Sequence, residues 1–223
     1  MTAQATGLII AAGSSVRMGG TDKIFTPIYG RPIISYSIQA MEDCVDIESI
    51  ILVLSSGNLE KGKLLLESTD WSKVTSIVEG GKRRQDSVRI GLSQVGDSQW
   101  TIIHDGARPC ITPTILRNSI IHASINGSAV AAVPVKDTIK IVDEFLTVSK
   151  TPDRKNLWAV QTPQVFETKS LRYAHEKITA NVTDDASMME ALGEKVSLFE
   201  SEYSNIKVTT EEDIKLIKIL MNN

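Results

Sequence analysis

The chain has 223 residues, of which 42% are hydrophobic and 23% charged, and a formal net charge of -3; this is enough for a core of its own and speaks against a broad nucleic-acid footprint. The two cysteines, Cys44 and Cys110, lie far apart, which points to a reducing compartment, and the three histidines are too scattered for a zinc site. The start of the chain has no signal-peptide pattern, and no apolar run approaches the roughly 20 residues of a membrane helix, so the expectation is a soluble, cytoplasmic protein that binds neither nucleic acid nor membrane.

An apolar run over 7–12 predicts the first buried strand. It empties into Gly13-Ser14-Ser15, followed by Arg17, Gly19-Gly20 and Lys23. Small residues let a ligand approach backbone N–H groups, and two cations just beyond them suit a polyphosphate. The loop is neither a Walker loop, for which its second glycine comes too late, nor a dinucleotide loop, where Ser15 would have to be glycine. A glycine-rich turn with solvated cations is the alternative reading. Residues 32–44 predict a helix with Pro32 in its first turn. A strand over 49–54, a helix over 59–68 and a short strand over 74–78 follow. Gly80-Gly81 leads into a helix over 85–95. Residues 100–104 predict a fourth strand ending at Asp105-Gly106-Ala107-Arg108-Pro109, 113–126 a helix opened by Pro113, and 129–133 a fifth strand.

Continuous apolar strands alternating with helices predict an α/β fold with a parallel sheet covered on both faces. Ligands of such sheets bind past the carboxyl ends of the strands. Segments 13–23, 80–87 and 105–109 all follow strand ends and so converge on one edge. After Pro134 the pattern changes: 138–142 and 146–150 alternate about Asp143-Glu144, a hairpin signature. A lone hairpin is marginal in water. It is expected to serve as a dimer arm, with an edge hairpin on the same sheet as the alternative. Residues 157–160 return to the sheet, 169–178 and 184–192 predict helices, and 196–199 and 206–208 late strands. Thr209 or Thr210 caps a last helix with Glu211, Glu212 and Asp213 in its first turn.

Several residues are candidates for chemistry. Asp105, at a strand end beside Arg108, suits a hard cation such as Mg²⁺ or, more simply, a turn cap. Gly81 to Ser87 enter a helix whose N–H groups would bind anions or base edges, while Lys82, Arg83 and Arg84 each read as solvated charges. Residues 183–187 read as a helix cap. Lys207 falls in the predicted strand over 206–208, and a lone strand lysine is usually exposed. His104 reads as an ordinary strand residue, and neither Ser14 nor Ser15 has an evident histidine partner for hydrolase chemistry.

In order, AAGSSVRM with Lys23 downstream, GGKRRQDSV, HDGARP, PVKDTIK, DRKNLW, TPQVF, TDDAS and NIKVT span residues 11–209. The set closely resembles the 2-C-methyl-D-erythritol 4-phosphate cytidylyltransferase family. The resemblance implies a single Rossmann-like nucleotidyltransferase domain over 1–223, with 135–156 as a β-arm that locks a homodimer. It implies transfer of a cytidylyl group from CTP to a sugar-alcohol phosphate, with Mg²⁺ as cofactor. Arg17 and Lys23 would stabilise the CTP phosphates, and Lys207 would reach the α-phosphate and the incoming phosphate. Ala11, Ala12, Gly13, Gly81, Lys82 and Ser87 would surround cytosine and ribose, and Asp105 would bind the metal. Arg108, Thr138, Arg154 and Thr183 would hold the alcohol phosphate, Thr138 and Arg154 coming from the partner's arm, with Arg154 also catalytic. The chain departs from the common pattern at Lys23-Ile24-Phe25, Gly106, Lys82 and Asp185. A ribitol-5-phosphate cytidylyltransferase and a non-catalytic nucleotide-binding protein on the same scaffold are the rival readings.

Overall fold

The computed structural model describes residues 4–13 and 22–222. Its centre is β1 (Ala5–Ala11), every residue of which is buried. β1 lies between β4 (Ile47–Leu54) and β6 (Trp100–Asp105), parallel to both. Two short strands, β2 (Pro27–Ile28) and β3 (Arg31–Pro32), form a separate ribbon before α1 (Ile33–Glu42). Pro32 therefore precedes this helix, with extended backbone, and does not open its first turn. The seven-stranded sheet runs β11-β7-β10-β6-β1-β4-β5, with β5 at Val74–Glu79, β7 at Ser128–Pro134, β10 at Trp158–Glu167 and β11 at Leu198–Glu200. Only β10 is antiparallel to its neighbours, β6 and β7.

Strand periodicity divides the core between the two faces. Ala5, Ile9 and Ala11 of β1, Ile50, Leu52 and Leu54 of β4, and Ile102 of β6 pack toward α1, α4 (Pro113–Asn126) and α7 (Glu211–Leu220). Partly buried leucines of α2 (Leu59–Glu67) join that face. Leu8 and Ile10, Ile51 and Val53, and Ile103 pack on the other face, toward α3 (Arg84–Leu92), α5 (Thr168–Lys177) and α6 (Asp185–Ala191). Burial on both faces is why these strands read as unbroken apolar runs. The helix read over 113–126 and the cap read at Thr209 or Thr210 both hold, and the structure adds two caps of α4. Thr112 accepts from Ile115 N at 3.2 Å ahead of Pro113, and Gly127 ends α4 with φ 81°. Asp213 accepts from Thr210 N at 2.8 Å, which makes Thr210 the cap of α7.

Three expectations are corrected. Residues 206–208 form no strand; Val208 N instead donates to Ala107 O at 2.8 Å, an isolated tie to the turn after β6. The strand predicted at 157–160 runs on to Glu167, and its pairing with β7 shifts register between Val160 and Gln164. Polar residues in that stretch (Gln161, Thr162, Gln164) hid the strand from a hydrophobic pattern, since they face a cavity instead of the core. The hairpin is shorter than predicted, β8 (Ile141–Val142) with β9 (Val148–Lys150), and forms a sheet of its own instead of an edge of the large one. Asp143 closes its turn by accepting from the N–H groups of Phe145 and Thr147, both at 2.9 Å.

One close approach brings two segments of the site together. Gly80 N donates to Leu54 O at 2.8 Å, and a Cβ on Gly80 would fall 2.3 Å from the Cβ of Ala12. A short side-chain stem cannot swing aside, so the backbone would have to move. Gly80→Ala is expected to destabilise the protein by about 1–3 kcal/mol in urea titrations; an unshifted midpoint would contradict this contact.

Candidate active site

Ala12, Gly13 and Lys23 beyond β1 and the segments that follow β5 and β6 meet at the carboxyl edge of the sheet, beside the point where chain order reverses around β1. They enclose a cavity of about 350 Å³ lined by Ala11, Ala12, Gly13, Lys23, Gly81, Lys82, Arg83, Arg84, Ser87, Asp105 and Lys207, among others. A second cavity of about 290 Å³ is lined by Arg84, Asp105, Arg108, Lys207, Gln161, Thr162, Gln164, Thr183 and Asp184. The two share Arg84, Asp105 and Lys207.

Asp105 is the centre of the shared wall. It ends β6 opposite Ile10, and its N–H donates to Thr162 Oγ1 at 3.0 Å. Its carboxylate lies 2.8 Å from Lys207 Nζ, 3.5 Å from Arg84 Nε and 3.6 Å from Arg108 Nε. Burial alone would raise the pKa of Asp105, but Arg84, then Lys207 and Arg108, hold it well below the usual carboxylate range. Arg108 is also buried and donates through Nη1 to Asn205 O at 2.7 Å. Asn205, fully buried, donates to Gln161 Oε1 and Thr162 O at 3.1 and 2.8 Å. This bolts the irregular segment carrying Lys207 to β10 and to the turn after β6.

His104 is excluded as a base by its own bonds. Its Nε2 faces Arg108 O at 3.3 Å, a group that only accepts, so Nε2 carries the proton. Nδ1 then takes the Thr162 hydroxyl at 3.0 Å. The ring is fully buried, and burial pushes its pKa down to about 4.

The turn before α3 is tied internally. Gly81 N donates to Ser87 Oγ at 3.1 Å, and the Ser87 hydroxyl points on to Arg83 O at 3.2 Å. Asp86 accepts from Arg83 N at 3.2 Å and from Arg83 Nη2 at 2.7 Å. The hydrogen bonds from the Arg83 side chain hold Asp86 down at about 2. Arg83 is thus an exposed, paired charge. Arg84 is not a solvated charge, contrary to the sequence reading. It is mostly buried, and its Nη1 donates to Asp185 Oδ2 at 2.5 Å. The cap read over 183–187 is Asp184, which accepts from Ser187 N at 2.9 Å at the start of α6, while Asp185 is buried against Arg84 and His175. Periodicity could not reveal this pairing, because its members lie 101 residues apart. The adjacent acids at 184–185 were its only signal.

Of the residues expected at the site, Ala11, Ala12, Gly13, Lys23, Gly81, Lys82, Ser87, Asp105 and Lys207 line the first cavity, and Arg108 and Thr183 the second. Thr138 and Arg154 line neither; both are exposed near the hairpin, and Arg154 Nη1 donates to Lys136 O at 2.6 Å. Arg17 lies outside the described residues. Lys207 is half-exposed and paired with Asp105, not a free strand lysine.

A mixed α/β sheet with cations grouped around one carboxylate at its carboxyl edge suits a protein that binds an anionic ligand there. The model of the 2-C-methyl-D-erythritol 4-phosphate cytidylyltransferase family matches residues 6–223. The chain is 43% identical over 214 residues to the enzyme of that name from Dehalococcoides mccartyi strain 195, covering 96% of this chain and 94% of that one. Its structure is similar to that of 4-diphosphocytidyl-2C-methyl-D-erythritol synthase from Anaerococcus prevotii, with a TM-score of 0.88, 30% identity, and 98% and 96% of the two chains covered. It is also similar to the 2-C-methyl-D-erythritol 4-phosphate cytidylyltransferase of Thermus thermophilus, with a TM-score of 0.78, 27% identity and both chains fully covered. The chain belongs to the 2-C-methyl-D-erythritol 4-phosphate cytidylyltransferase family and is an enzyme of the cytidylyltransferase type.

The His104 environment makes a pH prediction. A folded pKa near 4 against about 6.5 unfolded means the unfolded chain binds the extra proton first. The contribution of His104 to stability therefore falls as pH drops below about 6.5 and levels off below about 4. In NMR titrations its ring resonances should stay fixed from pH 8 to about 5.5; a midpoint near 6.5 would show a solvated ring.

Proposed function

We propose that this protein transfers the cytidylyl group of CTP to 2-C-methyl-D-erythritol 4-phosphate. The products are 4-diphosphocytidyl-2-C-methyl-D-erythritol and pyrophosphate, in non-mevalonate isoprenoid precursor synthesis. The observation that supports this most directly is the meeting of two cavities at one charge cluster, Arg84, Asp105 and Lys207. CTP takes the first cavity. The backbone of Ala11, Ala12, Gly13 and Gly81, with Lys82 and Ser87, surrounds base and ribose, and Lys23 with Arg17 meets the phosphates. The alcohol phosphate takes the second cavity, against Arg108 and Thr183.

A phosphate oxygen of the alcohol attacks the α-phosphorus of CTP. The bond from that phosphorus to the bridging oxygen breaks, and pyrophosphate leaves with the electron pair. The second pKa of a phosphate monoester is about 6, so the nucleophile is already ionised and needs no base. This agrees with a neutral, fully bonded His104. What remains is to align two anions and to neutralise the charge that develops between them, the task of Lys23, Lys207 and Arg17. The donor set fits Mg²⁺: Asp105 is an ionised hard-oxygen ligand, and among the described residues no group of three acidic, histidine or cysteine side chains forms a cage. A cation that draws most of its ligands from phosphate and water suits such a site. Held by Asp105, Mg²⁺ would neutralise phosphate charge.

The protein works as one domain, in the cytoplasm and as a homodimer. Ile139, Ile141, Val142, Phe145, Leu146 and Val148 of the hairpin region are exposed, an apolar surface that a second copy would cover. Thr138 and Arg154 lie at the base of that arm and would enter the second cavity of the other copy. Arg154 has the planar fork that suits a phosphate.

Pyrophosphate release from CTP should be seen with 2-C-methyl-D-erythritol 4-phosphate and not with ribitol 5-phosphate. Preference for ribitol phosphate would replace the substrate, and CTP binding without turnover would leave a binding protein. Lys207→Ala should lower kcat by roughly 10²-fold; a wild-type rate would remove Lys207 from the chemistry. Deleting residues 137–150 should turn the dimer into a monomer in sedimentation equilibrium, and an intact dimer would refute the arm.

A further inference from the structure

Arg84 is the first residue of α3, so the helix start fixes its backbone. Its side chain reaches across to two carboxylates: Nη1 donates to Asp185 Oδ2 at 2.5 Å, and Nε lies 3.5 Å from Asp105 Oδ1. Asp185 is only 1% exposed. Its other oxygen, Oδ1, lies 3.2 Å from His175 Nε2, and His175 is itself 2% exposed. A carboxylate only accepts, so His175 donates. The carbonyl of His175 in turn accepts from Arg89 Nε and Nη2 of α3 at 3.1 and 2.9 Å. A buried line thus runs from His175 of α5 through Asp185 of α6 and Arg84 of α3 to Asp105 of β6.

Three helices and a strand contribute to this line, and net stability alone is a weak reason for building it from charges. Buried ion pairs are often matched or bettered in stability by apolar packing of the same volume. What such a pair does supply is a guanidinium held in one place. Among the described residues Arg84 is also one of three side chains common to the two cavities, and the other two, Asp105 and Lys207, have the roles at the reacting phosphates proposed above. Its Nη2 has no hydrogen-bond partner among the described residues.

We propose that Asp185, backed by His175, is a positioning residue for cytidylyl transfer: it holds Arg84 at the junction of the two cavities. There Arg84 keeps Asp105 in one orientation and presents a fixed cation where the two phosphates meet. The inference rests on the reaction proposed above. Arg84 acts mainly on the charge formed during transfer, since the proposed nucleotide contacts come from Ala11, Ala12, Gly13, Gly81, Lys82 and Ser87.

The test uses the full-length protein, with pyrophosphate release for kinetics, calorimetric titration with CTP for binding, and thermal melts for folding. Asp185→Asn keeps the shape and removes the charge that fixes Arg84. Arg84→Lys keeps the charge and loses the fork. Both should lower kcat by about 10-fold or more, while KM and Kd for CTP stay within about 3-fold of wild type. If Asp185→Asn does not fold, Arg84→Lys carries the test alone. Wild-type kcat in the folded variants would overturn the proposal. So would a parallel loss of kcat, CTP binding and melting temperature, the pattern of a merely structural pair. If the unmodified protein releases no pyrophosphate, the proposed reaction falls and takes this inference with it. If the unmodified protein turns over and Arg84→Lys matches it, only the positioning role falls.

Discussion

The structure depends on one carboxylate held ionised by three cations. Asp105 is almost fully buried, and burial disfavours its charge. Arg84, Arg108 and Lys207 reverse that preference, and each comes from a different part of the chain. Taking any one of them away would leave the rest of the cluster out of balance, because a buried charge without its counter-charge is costly. The surrounding architecture can be understood as the means of bringing those four side chains together. β6 delivers Asp105, the turn after it delivers Arg108, the start of α3 delivers Arg84, and an irregular segment before α7 delivers Lys207.

That last segment shows how the fold positions a cation of the candidate site without regular secondary structure. No ladder holds Lys207. Asn205 bonds β10 on one side, its carbonyl takes Arg108, and Val208 N bonds Ala107 O. Backbone groups that would otherwise need a strand partner are satisfied one at a time. A similar use of single bonds appears at His104, whose two ring nitrogens tie Thr162 to the turn after β6 and leave none for proton transfer. A site whose chemistry is electrostatic can commit a nearby imidazole to architecture.

Much of the fold was legible in the sequence. The strands β1, β4, β6 and β7 announced themselves as apolar runs because both their faces are buried, while β5, a half-buried edge strand, was carried by β-branched residues. Helix α4 reads over 113–126 from Pro113 onward, and the structure has those same bounds. The misread elements share a physical cause. The second half of β10 turns Gln161, Thr162 and Gln164 toward a cavity, so its period is chemical, not hydrophobic. The segment 206–208 has strand-forming residues but finds no strand beside it.

The sequence by itself determined the α/β class, the edge on which the candidate site lies, and the motif set that places the chain in its family. Those rest on periodicity and on residue types close together along the chain. Only the tertiary structure decided that Arg84 and Asp185 form a buried pair, that His104 is neutral and fully bonded, and that two cavities share a wall at Asp105. Each of these depends on groups far apart in sequence whose burial and charges become coupled only once the sheet has brought them together.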